Sequence, residues 1–165
     1  MIKRVSTVST LALVLLVASV ALAPAAAAVA PERSWAAFDD AFTDDQTCAF
    51  PIDVRFVGRL EITTFFDRHG DVVRVQMHGS DIGTATNPAN GRTARGVDHY
   101  MVVERVKSGE TATVGLFVHM NLPGAGIVLI DVGNVVVDAD GNVVHTGGRH
   151  DLLTGNFGAL CAALA

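Results

Sequence analysis

The side chains that could carry acid–base chemistry are carboxylates within predicted strands. They are Glu61, Asp98, Glu104 and Asp131. Asp131 is the most unusual, because it interrupts the apolar run from Ile127 to Val132. A carboxylate turned into a core needs a partner or a raised pKa, whereas one facing water needs neither. If the chain performs chemistry, we expect Asp131, Glu61 or His119 to move the proton.

Six histidines are scattered along the chain, and three of them lie at predicted strand ends. These three are His78, His119 and His145. They could converge on zinc, but no HExxH or similar short spacing is present. The segment 138–142 has the Asp-x-Asp start of a calcium loop, but its glycine comes fourth and Arg149 occupies position twelve. The sequence therefore predicts a hairpin turn and no metal site.

Other catalytic and cofactor motifs fail on spacing. Ser80 stands one place early for G-x-S-x-G, and Leu129 replaces the third glycine of a dinucleotide fingerprint. No cofactor is predicted. Without residues 1–28, ten basic and 17 acidic side chains leave a net charge of −7. An acidic chain without basic runs is a poor nucleic-acid binder.

The chain begins with the pattern of a secretory signal peptide. Lys3 and Arg4 precede an apolar run from Leu11 to Ala23, and Ala26–Ala28 supplies an Ala-x-Ala exit. The run is shorter than a membrane-spanning helix requires, and no later stretch is long enough. We therefore predict a signal peptide over 1–28, a secreted mature chain and no membrane association.

Two cysteines, Cys48 and Cys161, stand near the two ends of the mature chain. In an exported protein an even pair is typical of one disulfide. The bond would close a loop of more than one hundred residues, which gives a large stabilisation on the chain-entropy model.

Alternating apolar residues separated by Gly, Asn and Asp turns predict an all-β fold over 48–165. The hairpin around Asp138–Asn142 shows the pattern most clearly, with valine runs on both sides. We expect an antiparallel barrel of about seven or eight strands, with a β-sandwich as the alternative. Glycines inside long strands, such as Gly133, favour the barrel. A break is expected at 79–83.

The two ends of the mature chain carry helical spacing. Trp35, Phe38 and Phe42 lie at i, i+3 and i+7, so residues 29–47 are predicted to form a short helix or an extended arm. Near the C-terminus, Thr154 could cap a closing helix with an apolar stripe. This stripe contains Phe157, Leu160, Cys161 and Leu164.

Four segments of the mature chain carry a resemblance. They are 86–92 (TNPANGR), 121–133 (NLPGAGIVLIDVG), 138–144 (DADGNVV) and 159–164 (ALCAAL). From about Phe38 onward the chain resembles an uncharacterised family of small secreted actinobacterial proteins. The resemblance implies export and transfers no catalytic residue. A looser similarity, in strand rhythm only, is to allene-oxide-cyclase-like and lipocalin-like barrels.

Three functions are compatible with this pattern. The first is non-catalytic binding of a small apolar ligand or an extracellular partner, since small barrels can hold one ligand at the mouth. The second is a cyclase- or isomerase-like enzyme that shapes its substrate inside a barrel. The third is a structural component of the cell envelope. The sequence makes no prediction of oligomeric state.

Overall fold

The computed structural model describes residues 29–165, so the predicted signal peptide over 1–28 lies outside the described residues. Seven strands and two short helices follow one another along the chain. The strands are β1 (Glu32–Asp44), β2 (Ile52–Phe66), β3 (Val72–Thr86), β4 (Thr93–Arg105), β5 (Glu110–Leu122), β6 (Gly126–Val137) and β7 (Val143–His150), followed by α1 (Asp151–Thr154) and α2 (Gly158–Leu164). The predicted all-β fold with a short C-terminal helix is confirmed.

The seven strands form one antiparallel sheet in chain order, each paired with its neighbours in sequence. Within residues 29–165 no ladder joins β1 to β7, so the sheet is not closed into the barrel that the glycines favoured. At one end the chain leaves β7 for α1 and α2, and side chains of β1 and of these helices line a common cavity. The two helices pack against β6, and the second also contacts β4.

Strand β1 shows that the helix, one of the two alternatives predicted for 29–47, is wrong, because residues 32–44 are extended. It pairs with β2 along its whole length, from Glu32 opposite Thr64 to Asp44 opposite Ile52. The i, i+3, i+7 aromatics do not share one face, because Trp35 lies on the opposite side of the strand from Phe38 and Phe42. Hydrogen bonding to a long neighbouring strand outweighs the local helical spacing.

Strand β3 runs through 79–83, where the sequence predicts a break. Two glycines keep it continuous by making room for aromatic rings from neighbouring strands. A Cβ at Gly79 would collide with the Tyr100 ring, and one at Gly83 would lie 3.0 Å from the Phe56 ring. These glycines therefore mark close packing against the strand and not its end.

The C-terminal segment folds as two helices and not as one. Thr154 ends α1 instead of capping a longer helix, and its hydroxyl donates to the His150 carbonyl. Gly155 then turns the chain with φ of 66°. Leu160 and Leu164 of α2 are buried in the core, as the apolar stripe predicts. The core lies between this helix and one end of the sheet, and contains Ile52, Ala85, Ala94, Val118, Met120, Leu122, Val128, Leu129, Leu160, Ala163 and Leu164.

The predicted disulfide is present and joins Cys48, just after β1, to Cys161 in α2, with their Cα atoms 5.5 Å apart. A second attachment comes from the turn after β3. The Asn87 and Asn90 side-chain amides both donate to the Leu164 carbonyl, at 3.0 Å. The short helix is thus fixed covalently on one side and by hydrogen bonds on the other. Among the described helices, none has the length and apolar character of a membrane span.

Candidate functional site

A cavity of about 300 Å³ lies between the C-terminal helices and the sheet. Nearly all of its lining is apolar. The lining residues are Phe42, Asp44, Thr47, Ile52, Val54, Phe56, Ala85, Val118, Met120, Leu129, Leu152, Phe157 and Leu160. An apolar cavity of about 150 Å³ is already large enough to stay dry and hold benzene. This cavity can therefore accept a compact organic molecule.

The wall of the cavity follows from strand periodicity. Ile52, Val54 and Phe56 alternate along β2 and project to the same side. Val118 and Met120 do the same on β5, and both are buried. Ala85 of β3, which lies opposite Val54, continues this surface from β2 towards β5. The helices add the opposite wall, and the disulfide holds it in place.

The mouth of the cavity is formed by two large apolar side chains that remain exposed to solvent. Phe42 of β1 is 54% exposed and Leu152 of α1 is 42% exposed. Both side chains belong to the cavity lining. Exposed apolar side chains around a concave apolar site are typical of ligand entry.

The polar residues of the lining are already engaged in a turn. Asp44 accepts hydrogen bonds from the Thr47 hydroxyl and from the backbone N–H groups of Gln46 and Thr47. The Thr47 hydroxyl contributes most to holding the pKa of Asp44 below its usual range. Both side chains are thus already hydrogen-bonded within this turn. A ligand in the cavity would therefore be selected mainly by its shape and by apolar contacts.

A pair of buried carboxyl groups lies on the same face of the sheet as the cavity lining, in the row of side chains next to that of Phe56. Asp81 of β3 stands directly opposite Asp98 of β4, and the two are 6% and 1% exposed. The neighbouring position on β2 is Gly58, whose added Cβ would meet Asp81. Glycine at position 58 therefore leaves room for the Asp81 side chain. In the adjacent row on this face, towards the cavity, Phe56 of β2 lies opposite Gly83 of β3.

The two oxygens of Asp98 have different surroundings. Oδ1 accepts the His119 backbone N–H at 2.8 Å, where the β4–β5 register is irregular and frees that N–H from the ladder. Oδ2 is buried and has no hydrogen-bond partner within the described residues. Burial raises the pKa of Asp98 to about 7 against the effect of the His119 N–H, and the charge of Asp81 adds to the rise.

Asp131, one of the three predicted catalytic candidates, is buried, and both of its carboxylate oxygens are hydrogen-bonded. Its Oδ1 lies 2.8 Å from His150 Nδ1, and its Oδ2 accepts the Leu152 N–H at 3.1 Å. The carboxylate hydrogen bond raises the pKa of His150. The adjacent Asp151 instead bonds Arg149 and the Ile130 N–H. The Asp131–His150 pair thus anchors the start of α1 to β6.

The other two catalytic candidates lie apart from Asp131. The His119 ring lies within 3.4 Å of the Asn121 amide, and its neighbours Val118 and Met120 face the cavity, so the ring points to the other side of β5. Glu61 lies on the opposite face of β2 from Phe56, with Arg33 at 3.8 Å. The three predicted candidates do not form one site, and their catalytic roles stay predictions.

The pairing of Asp81 with Asp98 is not evident in the sequence, because it depends on the register between β3 and β4. The sequence predicts Asp98 within a strand, whereas Asp81 falls in the predicted break at 79–83. The glycines at 79 and 83 make room for the Tyr100 and Phe56 rings, and the glycine that leaves room for Asp81 is Gly58 on β2. The local sequence around Asp81 therefore carries no signal for the pair.

The described residues contain no cluster of three or more side chains able to hold a metal ion. In the segment that resembles a calcium loop, Asp138 accepts the backbone N–H groups of Asp140 and Asn142. These bonds, chiefly that from Asn142, lower the pKa of Asp138. This carboxylate therefore serves a hairpin turn, as predicted.

Comparison with protein-family models, with curated proteins and with solved structures finds no match to this chain. The resemblance to small secreted actinobacterial proteins stays a prediction, and the site has to be interpreted from its own geometry.

Proposed function

We propose that the protein binds a small apolar molecule in the cavity under α1 and α2. The observation that carries this proposal is the cavity itself: about 300 Å³, almost wholly apolar, with an exposed apolar mouth. Burying a ligand there removes apolar surface from water on both partners. The predicted signal peptide and the disulfide support a role outside the cell.

The dimensions favour a compact ligand. Ligand cavities span roughly 300–1,000 Å³, and this one stands at the lower limit. Bicyclic hydrocarbons and monoterpenoids suit such a space better than a long acyl chain. Because Asp44 and Thr47 are engaged with each other, the ligand needs few polar groups. We therefore propose naphthalene, camphor and limonene as probes, with dodecanoate as an over-long comparison.

Binding is favoured over catalysis by the position of the acidic groups. The four buried carboxyl groups of residues 29–165, Asp81, Asp98, Asp131 and Asp151, do not line the cavity. A general acid or base must reach hydrogen-bond distance of its substrate. The cyclase- or isomerase-like alternative would therefore require a rearrangement that brings one of them to the ligand.

The test is isothermal titration calorimetry of the disulfide-bonded protein with the four probes. We expect at least one compact probe to bind at one site with Kd of about 1–200 µM, and dodecanoate to bind at least tenfold more weakly. Failure of all three compact probes to bind would overturn the proposal.

A matched pair of variants on one strand locates the binding. Val54→Phe adds a ring inside the cavity and should weaken binding at least tenfold. Val57→Phe adds the same ring on the opposite face of β2, where Val57 is 40% exposed, and should leave Kd unchanged. Equal affinity of the two variants for the probe would contradict binding in this cavity.

A further inference from the structure

The opposite face of the sheet carries a shallow groove of about 440 Å³ that the proposed function does not use. Its lining combines the exposed ring of Trp35 with polar and charged groups, and Tyr100, Met101 and Val114 complete it. The residues that matter here are Trp35, Arg59, Glu61, His78, Ser80 and His99. On β2, Arg59 and Glu61 are odd-numbered and the cavity residues are even-numbered. The two sites therefore lie on opposite faces of one strand.

Strand register brings these side chains into two adjacent rows. Trp35 of β1 stands opposite Glu61 of β2, which stands opposite His78 of β3. In the next row, Arg59 stands opposite Ser80, which stands opposite His99 of β4. Four strands about 4.8 Å apart span roughly 14 Å. The groove therefore matches a short, extended ligand and not a single small ring.

Trp35 offers a flat apolar platform at one end of the groove. It is 64% exposed, the highest exposure of any large hydrophobic side chain in the described residues. The Arg59 guanidinium lies over the ring, with Cζ 5.9 Å from its centroid, and this cation–π contact restricts the indole. An exposed aromatic surface held next to polar groups suits a ligand with both apolar C–H faces and hydroxyl groups.

The polar groups of the groove supply both donors and acceptors. Arg59 donates only, Glu61 accepts only, and the Ser80 hydroxyl does both. Vicinal hydroxyls can each give and receive a hydrogen bond, so they match such a mixed set. The lining carries one cation, Arg59, and one anion, Glu61, and Arg33 approaches Glu61 to 3.8 Å, so a cationic ligand gains no net attraction. An anionic ligand is the comparison that the test has to include.

We propose that this groove binds a neutral oligosaccharide, with a pyranose ring stacked on Trp35 and hydroxyl groups bonded to Glu61 and Arg59. The proposal is independent of the apolar cavity, because different residues on the other face carry it. Such surface sites bind weakly, and we expect Kd of about 0.1–1 mM.

The chain contains a single tryptophan, so its fluorescence reports on this groove directly. The test titrates cellotetraose, maltotetraose, mannotetraose, xylotetraose and chitotetraose up to about ten times a Kd of 1 mM. A saturable change in Trp35 emission with at least one of them is expected. Absence of any change across these five sugars would overturn the proposal, as would an equal response to glycerol.

Variants separate a specific groove from a general surface effect. Glu61→Gln should weaken the responding sugar at least fivefold, and Val57→Ala, on the same face of β2 but outside the groove, should not. For Trp35→Ala, saturation-transfer NMR replaces fluorescence, and the sugar signal should disappear. Persistence of that signal, or stronger binding of a peptide anion such as tetraglutamate, would contradict a neutral saccharide site.

Discussion

Strand β2 presents two surfaces of different chemistry. Ile52, Val54 and Phe56 face a cavity that two helices cover, whereas Arg59 and Glu61 face an open groove on the other side. Period-two alternation is the physical reason, since successive side chains project to opposite faces. A single strand with a regular backbone can thus line an apolar cavity on one face and a solvent-exposed groove on the other.

The two surfaces also differ in what maintains them. The cavity depends on α1 and α2, which are held by the disulfide, the turn asparagines and the Asp131–His150 pair. The groove depends only on strand register. Changes that loosen the helices should therefore damage the cavity and spare the groove.

The largest effect is expected from removing the disulfide. Cys48→Ser with Cys161→Ser should lower the free energy of unfolding by about 4 kcal/mol, because the bond closes a loop of 113 residues. Urea denaturation measures the loss. Apolar probe binding should fall along with α2 docking, whereas Trp35 emission of the folded fraction should stay the same. A loss below about 1 kcal/mol would show that the disulfide does not hold the cavity wall.

The next effect is expected at the start of α1. Asp131→Ala should destabilise the protein by about 3 kcal/mol, because it leaves His150 buried without its partner and frees the Leu152 N–H. A double-mutant cycle with His150→Ala isolates the coupling between the two residues. Additive losses in the cycle would contradict a paired role.

A smaller, pH-dependent effect is expected at the buried carboxyl pair. The folded pKa of Asp98 is about 7, above the ordinary 3.8. Asp98 therefore costs no stability at low pH, where it is protonated. The free energy of unfolding falls as pH rises from about 4 to about 7, because Asp98 ionises more readily in the unfolded chain. Asp98→Asn keeps an oxygen for the His119 N–H and removes the charge. It should stabilise the protein by about 2 kcal/mol at pH 8 and change little at pH 4.

Urea denaturation at both pH values checks this prediction. The lowered pKa values of Asp138 and Asp151 act in the opposite sense, since their stabilisation is lost as pH falls through the folded pKa. With respect to these three groups, the free energy of unfolding of the wild-type protein should be highest at about pH 4, below the range in which Asp98 ionises and above the range in which Asp138 and Asp151 are protonated. A variant with the same pH dependence as wild type would contradict a raised pKa at Asp98.

The smallest effect on stability is expected at the groove. Trp35→Ala should change the free energy of unfolding by less than about 0.5 kcal/mol, because the side chain is 64% exposed. It should also leave the apolar probe affinity unchanged. A loss above about 2 kcal/mol would mean that Trp35 is a packing residue, and would weaken its assignment to a ligand.

The sequence predicts the strands and turns of this molecule better than it predicts which distant residues come into contact. Alternation and turn residues identify β2 to β7, and the paired cysteines identify the disulfide. The strand at 32–44 is missed because its aromatics also satisfy helical spacing, and only pairing with β2 decides between the two. Local pattern carries no information about such a partner.

The candidate site is not predictable from the sequence for the same reason. The cavity joins side chains from β1, β2, β3, β5, β6 and both helices, and no spacing along the chain encodes their meeting. The apolar character of each segment was predictable, but the volume left between them depends on packing. The segments 86–92 and 159–164, which carry the resemblance, prove to be in contact through Asn87 and Leu164.

The central claim is tested most directly by methyl NMR of methionine-labelled protein. The described chain has three methionines: Met120 lines the cavity, Met101 lines the groove, and Met77 lines neither. Naphthalene should shift the Met120 methyl signal strongly through its ring current, and leave Met101 and Met77 in place. An unmoved Met120 signal at saturating naphthalene, or equal shifts of all three, would contradict an apolar binding site under the helices.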